Sequence, residues 1–274
     1  MKSTRKRLLC SALAALLLLA LAGCAAKPAE PETTDDYLTD EDVPLNERAL
    51  ALAVPDFLDA QQQLLYRQTA ALYDAMFGGE TLAIDMDFPA PDRDGSPVYT
   101  VGYTPDGSDH RYILSESRYR SWADFDRVVH GVFTDRLWTD LNDTGLGDHS
   151  SLYIEHDGQL YILDCSYGDQ YYNPVFPDEF VLVEQTDERI EFTVTAHYSY
   201  PYPREGESYE ERDERLETSY EFTLTFPIVM LRTDAGWRFD VFCTGVGAEM
   251  RCPDAVFEGI TEVDFYADAY GASA

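Results

Sequence analysis

From Phe180 to Phe242 apolar and polar side chains alternate with a period of two. Phe180, Leu182 and Glu184 alternate with Val181 and Val183, and Asp187-Glu188 turns the chain. Phe192, Val194 and Ala196 then point one way, with Thr193, Thr195 and His197 the other. Phe222, Leu224 and Phe226 repeat the pattern, and Thr233-Asp234-Ala235-Gly236 turns into Trp237 to Phe242. Successive strand side chains lie on opposite faces, so each of these strands has one apolar face. The run predicts an antiparallel sheet whose apolar face is covered by helices. Pro227 cannot donate to a ladder and marks an edge or a bulge. The alternation breaks between Pro203 and Glu217, where a long acidic connection interrupts the strands.

Upstream the period changes to that of a helix. Leu58, Leu65, Leu72 and Met76, with Thr69 and Tyr73, fall on one face of a segment that starts at Pro55 or Asp56 and stops at Gly78-Gly79. A helix of about 22 residues spans roughly 33 Å, long enough to lie across the sheet. Ser121-Trp122-Ala123-Asp124 and Thr134-Asp135 are cap signals for two shorter helices. Their apolar faces carry Phe125, Val128 and Val129, then Leu137, Trp138 and Leu141. Two hairpins are expected, turning at Pro105-Asp106-Gly107-Ser108 and at Asp157-Gly158. The expected fold class is α+β: a curved antiparallel sheet packed by one long and two shorter helices, as a single domain over 55–252.

The ends of the chain read differently. Lys2, Arg5, Lys6 and Arg7 precede an apolar run, Leu8 to Ala22, that ends in Leu21-Ala22-Gly23-Cys24. A basic start, a short apolar run and small residues before a cysteine are the marks of a bacterial lipoprotein signal. Residues 1–23 are therefore expected to be cleaved and Cys24 to be lipidated. Two or more acyl chains, at about 0.8 kcal/mol per buried CH₂, anchor a protein stably to a membrane. Residues 24–54, rich in Ala, Pro, Thr, Asp and Glu, are expected to form a disordered tether. Residues 253–274 form an acidic tail. The expected location is the extracytoplasmic face of the bacterial cell membrane.

Charge narrows the partners. The whole chain carries −31; without residues 1–23 it carries 16 basic and 51 acidic residues, or −35. Such a surface repels nucleic acid and attracts basic partners, and it also simply keeps an exported protein soluble. No phosphate-binding glycine loop, dinucleotide fingerprint, zinc-protease helix or serine-nucleophile elbow occurs. Asp92-Arg93-Asp94-Gly95 matches only the start of a calcium loop, lacks its later ligands and terminal Glu, and reads better as an Asp-Gly turn. No metal or cofactor is expected. His197 is the histidine best placed on a strand for a base, although a lone strand histidine is more often structural. Cys243 and Cys252 enclose eight residues and either close a loop or act, with Cys165, as small buried hydrophobes.

The remaining candidate is the acidic connection itself. It holds Glu205, Glu207, Glu210, Glu211, Asp213, Glu214 and Glu217 against Arg204, Arg212 and Arg215. It reads as a solvated loop or short charged helix, or else as an acidic probe for a basic groove, with Glu205, Glu207, Glu210, Glu211, Asp213 and Glu214 as the contact residues. Tyr167, Tyr171, Tyr172, Tyr198, Tyr200, Tyr202 and Tyr209 cluster around it and suit either recognition or sheet packing.

Several pieces occur here in a recognisable order. They are Tyr119 with Ser121-Trp122-Ala123-Asp124-Phe125, Phe133-Thr134, Glu155-His156-Asp157-Gly158-Gln159-Leu160-Tyr161-Ile162-Leu163-Asp164, and Gly236-Trp237-Arg238-Phe239-Asp240. In this order, over Leu58 to Phe242, the chain resembles the IseA-type DL-endopeptidase inhibitors, exported proteins of Gram-positive bacteria. The resemblance implies an NTF2-like or IseA-like fold and a non-enzymatic protein that occludes the groove of an NlpC/P60-type cell-wall hydrolase. The alternative is an NTF2-like ligand-binding lipoprotein domain with no inhibitory role. The family's inhibitory residues have no position-by-position match, so the acidic connection is assigned on charge alone.

Overall fold

The chain divides into two compact units, Met1–Thr34 and Asp35–Ala274. The computed structural model describes residues 37–45, 47–77, 102–105, 111–115, 117–143, 151–164, 171–252 and 254–259, all in the second unit. The expected signal, Cys24, Asp92 to Gly95, Cys165 and Tyr167 lie outside the described residues.

The architecture is α+β, with two antiparallel sheets where the alternation suggested one. The first sheet joins β1 (Gly102–Tyr103), β2 (Tyr112–Leu114), β3 (Tyr153–His156) and β4 (Gln159–Leu163) in the order β1-β2-β4-β3. The second runs β5 (Glu179–Gln185), β6 (Arg189–Tyr198), β7 (Phe222–Thr233) and β8 (Gly236–Val241), with β9 (Val256–Glu258) also paired to β7. Periodicity reveals which face of a strand is apolar but not which strands pair, so the division was invisible in the pattern.

Strand β7 divides one edge between two partners. β9 pairs with Thr223 to Thr225, and β8 pairs with Val229 to Thr233. Pro227 lies in the gap between them, where its missing N–H costs no ladder bond on that side. A register shift at Val229/Met230 bends the strand beside it. β5 is an edge strand paired only to β6, and it leaves Val181 and Val183 60% and 59% exposed. Glu179, Glu184 and a register shift at Leu182/Glu184 are the usual protection of such an edge.

The buried face of the second sheet is formed by Ile190, Phe192, Val194, Ala196 and Tyr198 of β6 and by Phe222, Leu224, Phe226, Ile228 and Met230 of β7. Against it lies a helix, Ala60–Phe77. α1 is Glu47–Ala51, so this second helix is α2. α2 starts four or five residues later than expected. Pro55 to Leu58 form a turn, and Asp59 is the cap: its carboxylate accepts the N–H groups of Gln61 and Gln62 at 2.9 Å, and Gln62 accepts the Asp59 N–H at 3.0 Å.

α3 (Trp122–Val132) and α4 (Asp135–Asn142) begin at the caps read from sequence. Ser121 accepts the Asp124 N–H and Thr134 the Leu137 N–H, both at 3.2 Å. These helices connect the two sheets. Phe125 and Trp138 pack on Tyr153 of β3 at ring distances of 5.0 and 6.0 Å. The Thr134 N–H donates to the Phe239 carbonyl of β8 at 2.9 Å. The β3–β4 turn has Asp157 and Gly158 at φ 52° and 77°, as a tight hairpin requires.

The described part of the segment expected as a 24–54 tether is docked instead. From Tyr37 the described chain packs onto the domain, burying Leu38, Val43 and Ala49. Arg67 donates to the Ala49, Leu50 and Leu52 carbonyls at 2.9, 2.9 and 2.6 Å, and Tyr119 donates to the Asp42 carbonyl at 2.6 Å. Gly131 makes room for this docking, since a Cβ there would meet the Leu38 side chain at 2.6 Å. A few apolar residues spaced among acids read as tether by composition and dock by position. Likewise, within the segment expected as a 253–274 tail, Val256–Glu258 form β9 and join the sheet.

Phe192 is fully buried among Phe57, Tyr66 and Phe180, at ring distances of 5.4, 6.2 and 6.3 Å. Phe192→Ala is expected to cost about 3–5 kcal/mol in urea denaturation. Val183→Ala on the open edge is expected to cost under about 0.5 kcal/mol in the same measurement.

Candidate binding surface

The acidic connection folds. After Tyr198 the chain crosses Pro201 and Pro203, turns at Gly206, and enters α5, Tyr209–Thr218. Ser208 opens α5 with a reciprocal box: it accepts the Glu211 N–H at 3.2 Å, and Glu211 accepts the Ser208 N–H at 2.8 Å. No α5 residue is buried, so tertiary apolar packing does not hold this helix. It is held by polar contacts instead.

Arg215 is the main one. Its Nε donates to Glu207 at 2.9 Å, and Nη1 donates to Glu221 at 2.8 Å and to the Tyr200 carbonyl at 3.1 Å. Nη2 donates to the Tyr202 carbonyl at 3.1 Å. Arg204 adds a second bond to Glu221 at 2.7 Å. The Arg215 and Glu221 side chains are only 11% and 14% exposed, so these bonds are better shielded than surface pairs. Asn173 anchors the far end of α5 by donating to the Leu216 carbonyl at 2.8 Å. The Arg215 guanidinium, helped by the Arg204 N–H, holds Glu207 down at about 2.

This sorts the predicted contact residues. Glu207 is neutralised inside the clamp, Glu211 is a cap, and Asp213 pairs with Arg212 at 2.5 Å. Those three already have structural partners within the connection. Glu205, Glu210 and Glu214 are exposed and make no ion pair among the described residues, and Glu217 joins them. Glu210, Glu214 and Glu217 stand at helical spacings of four and three, on one stripe of α5. Like charges so spaced repel, and Glu217 also faces the negative end of the helix dipole. Glu217 and the mutual repulsion work against the helix, whereas Glu210 lies in its first turn, at the favourable positive end.

The other sequence candidates fare differently. Tyr171 and Tyr198 are buried and serve packing, while Tyr202 and Tyr209 are exposed beside the stripe. His197 is buried between Phe176 and Tyr220, and its Nδ1 has no hydrogen-bond partner among the described residues. Burial lowers its pKa, with the Glu179 charge opposing. No hydrogen bond joins it to a carboxylate among the described residues, so the geometry gives it no base's partner. Among the described residues no three His, Cys, Asp or Glu side chains gather as a metal cage.

A second polar cluster escaped sequence reading. Asp74 of α2 accepts from Thr244 at 2.6 Å and pairs with Arg48 at 3.4 Å. Asp178 accepts from Tyr172 at 3.2 Å and has no cation of its own among the described residues. Burial raises both carboxyls, and Asp178, with Asp74's charge adding to the burial effect, is pushed up to about 6.

Two pH effects follow, with opposite signs. Asp178 binds its proton more tightly folded than unfolded, so stability falls as pH rises from 3.8 to about 6. Asp178→Asn should abolish that slope and gain about 1–3 kcal/mol at pH 7 in urea titrations run across pH. Glu207 binds its proton less tightly folded, so its contribution is complete above 4.5 and is lost as pH falls toward about 2. Arg215→Met should release Glu207 to an ordinary acidity in a carbon-13 NMR titration and unwind most of α5. Compared with known proteins, the chain matches no family model and no curated protein.

Proposed function

We propose that this chain is a membrane-anchored exported lipoprotein, without catalysis of its own, that binds and restrains a cell-wall DL-endopeptidase of the NlpC/P60 type. The observation that carries the reading is the α5 stripe. Three carboxylates, Glu210, Glu214 and Glu217, on a helix clamped by Arg215, and Glu205 in the turn before it, stay exposed without an ion pair among the described residues. Structure uses the neighbouring acids and leaves these free. A preorganised row of negative charge loses little entropy on docking, and a basic groove rim is its complement. The chain's large negative charge adds long-range attraction to such a partner. The resemblance over Leu58 to Phe242 supplies the target class, and the cysteine context at Cys24 supplies the anchor.

The test adds the mature chain to assays of several NlpC/P60 endopeptidases on peptidoglycan. Slowed hydrolysis that weakens with added salt is the expected result. Undiminished hydrolysis across those enzymes rules the reading out and leaves the ligand-binding alternative. Changing Glu205, Glu210, Glu214 and Glu217 together to Gln should weaken binding on the order of tenfold or more and flatten its salt dependence. The helix should survive, because none of the four holds it; unchanged affinity with an intact helix would move the binding surface elsewhere.

A further inference from the structure

His197 stands on β6 opposite Thr223 of β7, on the sheet face away from Ala196 and Tyr198. Its neighbours on that face, Thr193 and Thr195, are half-buried, yet His197 is only 5% exposed. Two rings cover it. Tyr220 meets the imidazole at 4.4 Å and Phe176 meets it at 5.9 Å. The two covering rings meet each other at 5.1 Å, so the three form one cluster. Tyr220 is 46% exposed and is therefore a lid with solvent on its outer side. The rings offer Nδ1 no lone pair, and it has no hydrogen-bond partner among the described residues. A buried polar atom left so is rare enough to need a reason.

Both covering rings belong to the attachment of α5. Tyr220 follows Ser219, which caps the end of α5. Ser199 donates to the Ser219 carbonyl at 3.3 Å, and the Glu221 N–H donates to the Tyr198 carbonyl at 2.9 Å. Phe176 closes a turn begun by Asn173, its N–H donating to the Asn173 carbonyl at 3.3 Å. Asn173 in turn donates its N–H to the His197 carbonyl, and its side chain holds Leu216 of α5. The imidazole thus sits where the helix returns to the sheet. Lifting the lid pulls on the last turn of α5.

We propose that His197 is a proton-operated latch on the C-terminal attachment of α5: the neutral ring keeps the Phe176–Tyr220 lid shut, and a proton taken from solvent opens it. An imidazolium donates from both ring nitrogens. Under the shut lid Nδ1 has nothing to donate to, and a buried charge without a partner is costly. Water supplies the acceptor only when the lid lifts.

Few charges oppose this. Burial lowers the His197 pKa from 6.5, and the Glu179 charge on β5 works against that. Glu258 of β9 lies beyond Thr223 on the same face. Glu221, beside Tyr220, is held by Arg204 and Arg215, and Asp178, near Phe176, binds Tyr172. Because the folded pKa is depressed, the latch is fully shut above 6.5 and weakens as pH falls. Each pH unit below that raises the open population by up to about tenfold, until the covered ring itself titrates. The inference concerns how α5 is mounted and does not depend on the proposed partner.

The test uses the full chain carrying Asp178→Asn, which silences a titration of opposite sign, between about pH 7.5 and 5. Amide exchange, corrected for its intrinsic pH dependence, should show Leu216 to Phe222 losing protection below 6.5 while Leu224 to Thr233 hold theirs. Imidazole NMR should place His197 below 6.5. His197→Phe keeps a ring under the lid and takes no proton, so protection should stay level across the range. Tyr220→Ala should lose that protection at both ends of the range and return His197 toward 6.5. The proposal fails if His197 titrates at or above 6.5 under the intact lid, or if protection of Leu216 to Phe222 ignores pH. It fails equally if His197→Phe keeps the same pH dependence. Should His197→Phe not fold, an unchanged His197 pKa in Tyr220→Ala overturns the latch by itself.

Discussion

The Tyr66 ring is the contact on which the domain's assembly depends. It projects from the middle of α2 and meets Phe180, Phe192, Phe239 and Phe242 at 6.0, 6.2, 6.1 and 5.7 Å. Those partners come from β5, β6, β8 and the residue just after β8. One side chain thus fixes the helix against three strands. Edge-to-face geometry adds direction to what would otherwise be non-directional burial. The other end of α2 is tied to the first sheet, because Tyr153 donates to the Met76 carbonyl at 2.9 Å and packs against Phe77. α2 is therefore the common support of both sheets.

Charge is handled by a different rule. The chain has far more acids than cations, and several half-buried arginines are each shared among several acceptors. Arg67 serves three carbonyls, and Arg215 serves two carboxylates and two carbonyls. The planar guanidinium can do this with five donors in a fixed fork, which lysine cannot match. Arginine acts here as scaffold for loops and for the docked N-terminal segment. The acids that remain outside these networks are the ones free to face a partner.

Local signals carried much of the fold. The caps at Ser121 and Thr134, the Asp157-Gly158 turn and the inward residues of β6 and β7 are all properties of short windows, and they were readable as such. What escaped depends on contacts distant in sequence. Leu38 and Val43 look like exceptions in an acidic stretch until Gly131 and Tyr119 supply their site. Arg215 looks like one charge among many, because Glu221 and the Tyr200 and Tyr202 carbonyls that define its role are spread over a turn and a strand end. The split of the acids into structural and free members follows from that role, so charge counting alone could not make it. Asp74 and Asp178 belong to separate elements and had no shared pattern to reveal them.

The sharing of β7's edge ties β9 to the acidic helix. α5 is suspended between Tyr198 and Phe222, and β9 lies along Thr223 to Thr225, immediately beyond the helix's downstream attachment. Phe257 of β9 stacks 6.3 Å from Phe222, which itself stacks 4.9 Å from Tyr198. The three rings form a short column under the point where α5 leaves the sheet. A protease that trimmed the chain back past β9 would leave that column without its last ring and open the β7 backbone beside it. β9 thus acts as a footing for a surface that precedes it in sequence, and the helix's rigidity comes to depend on a strand some forty residues downstream.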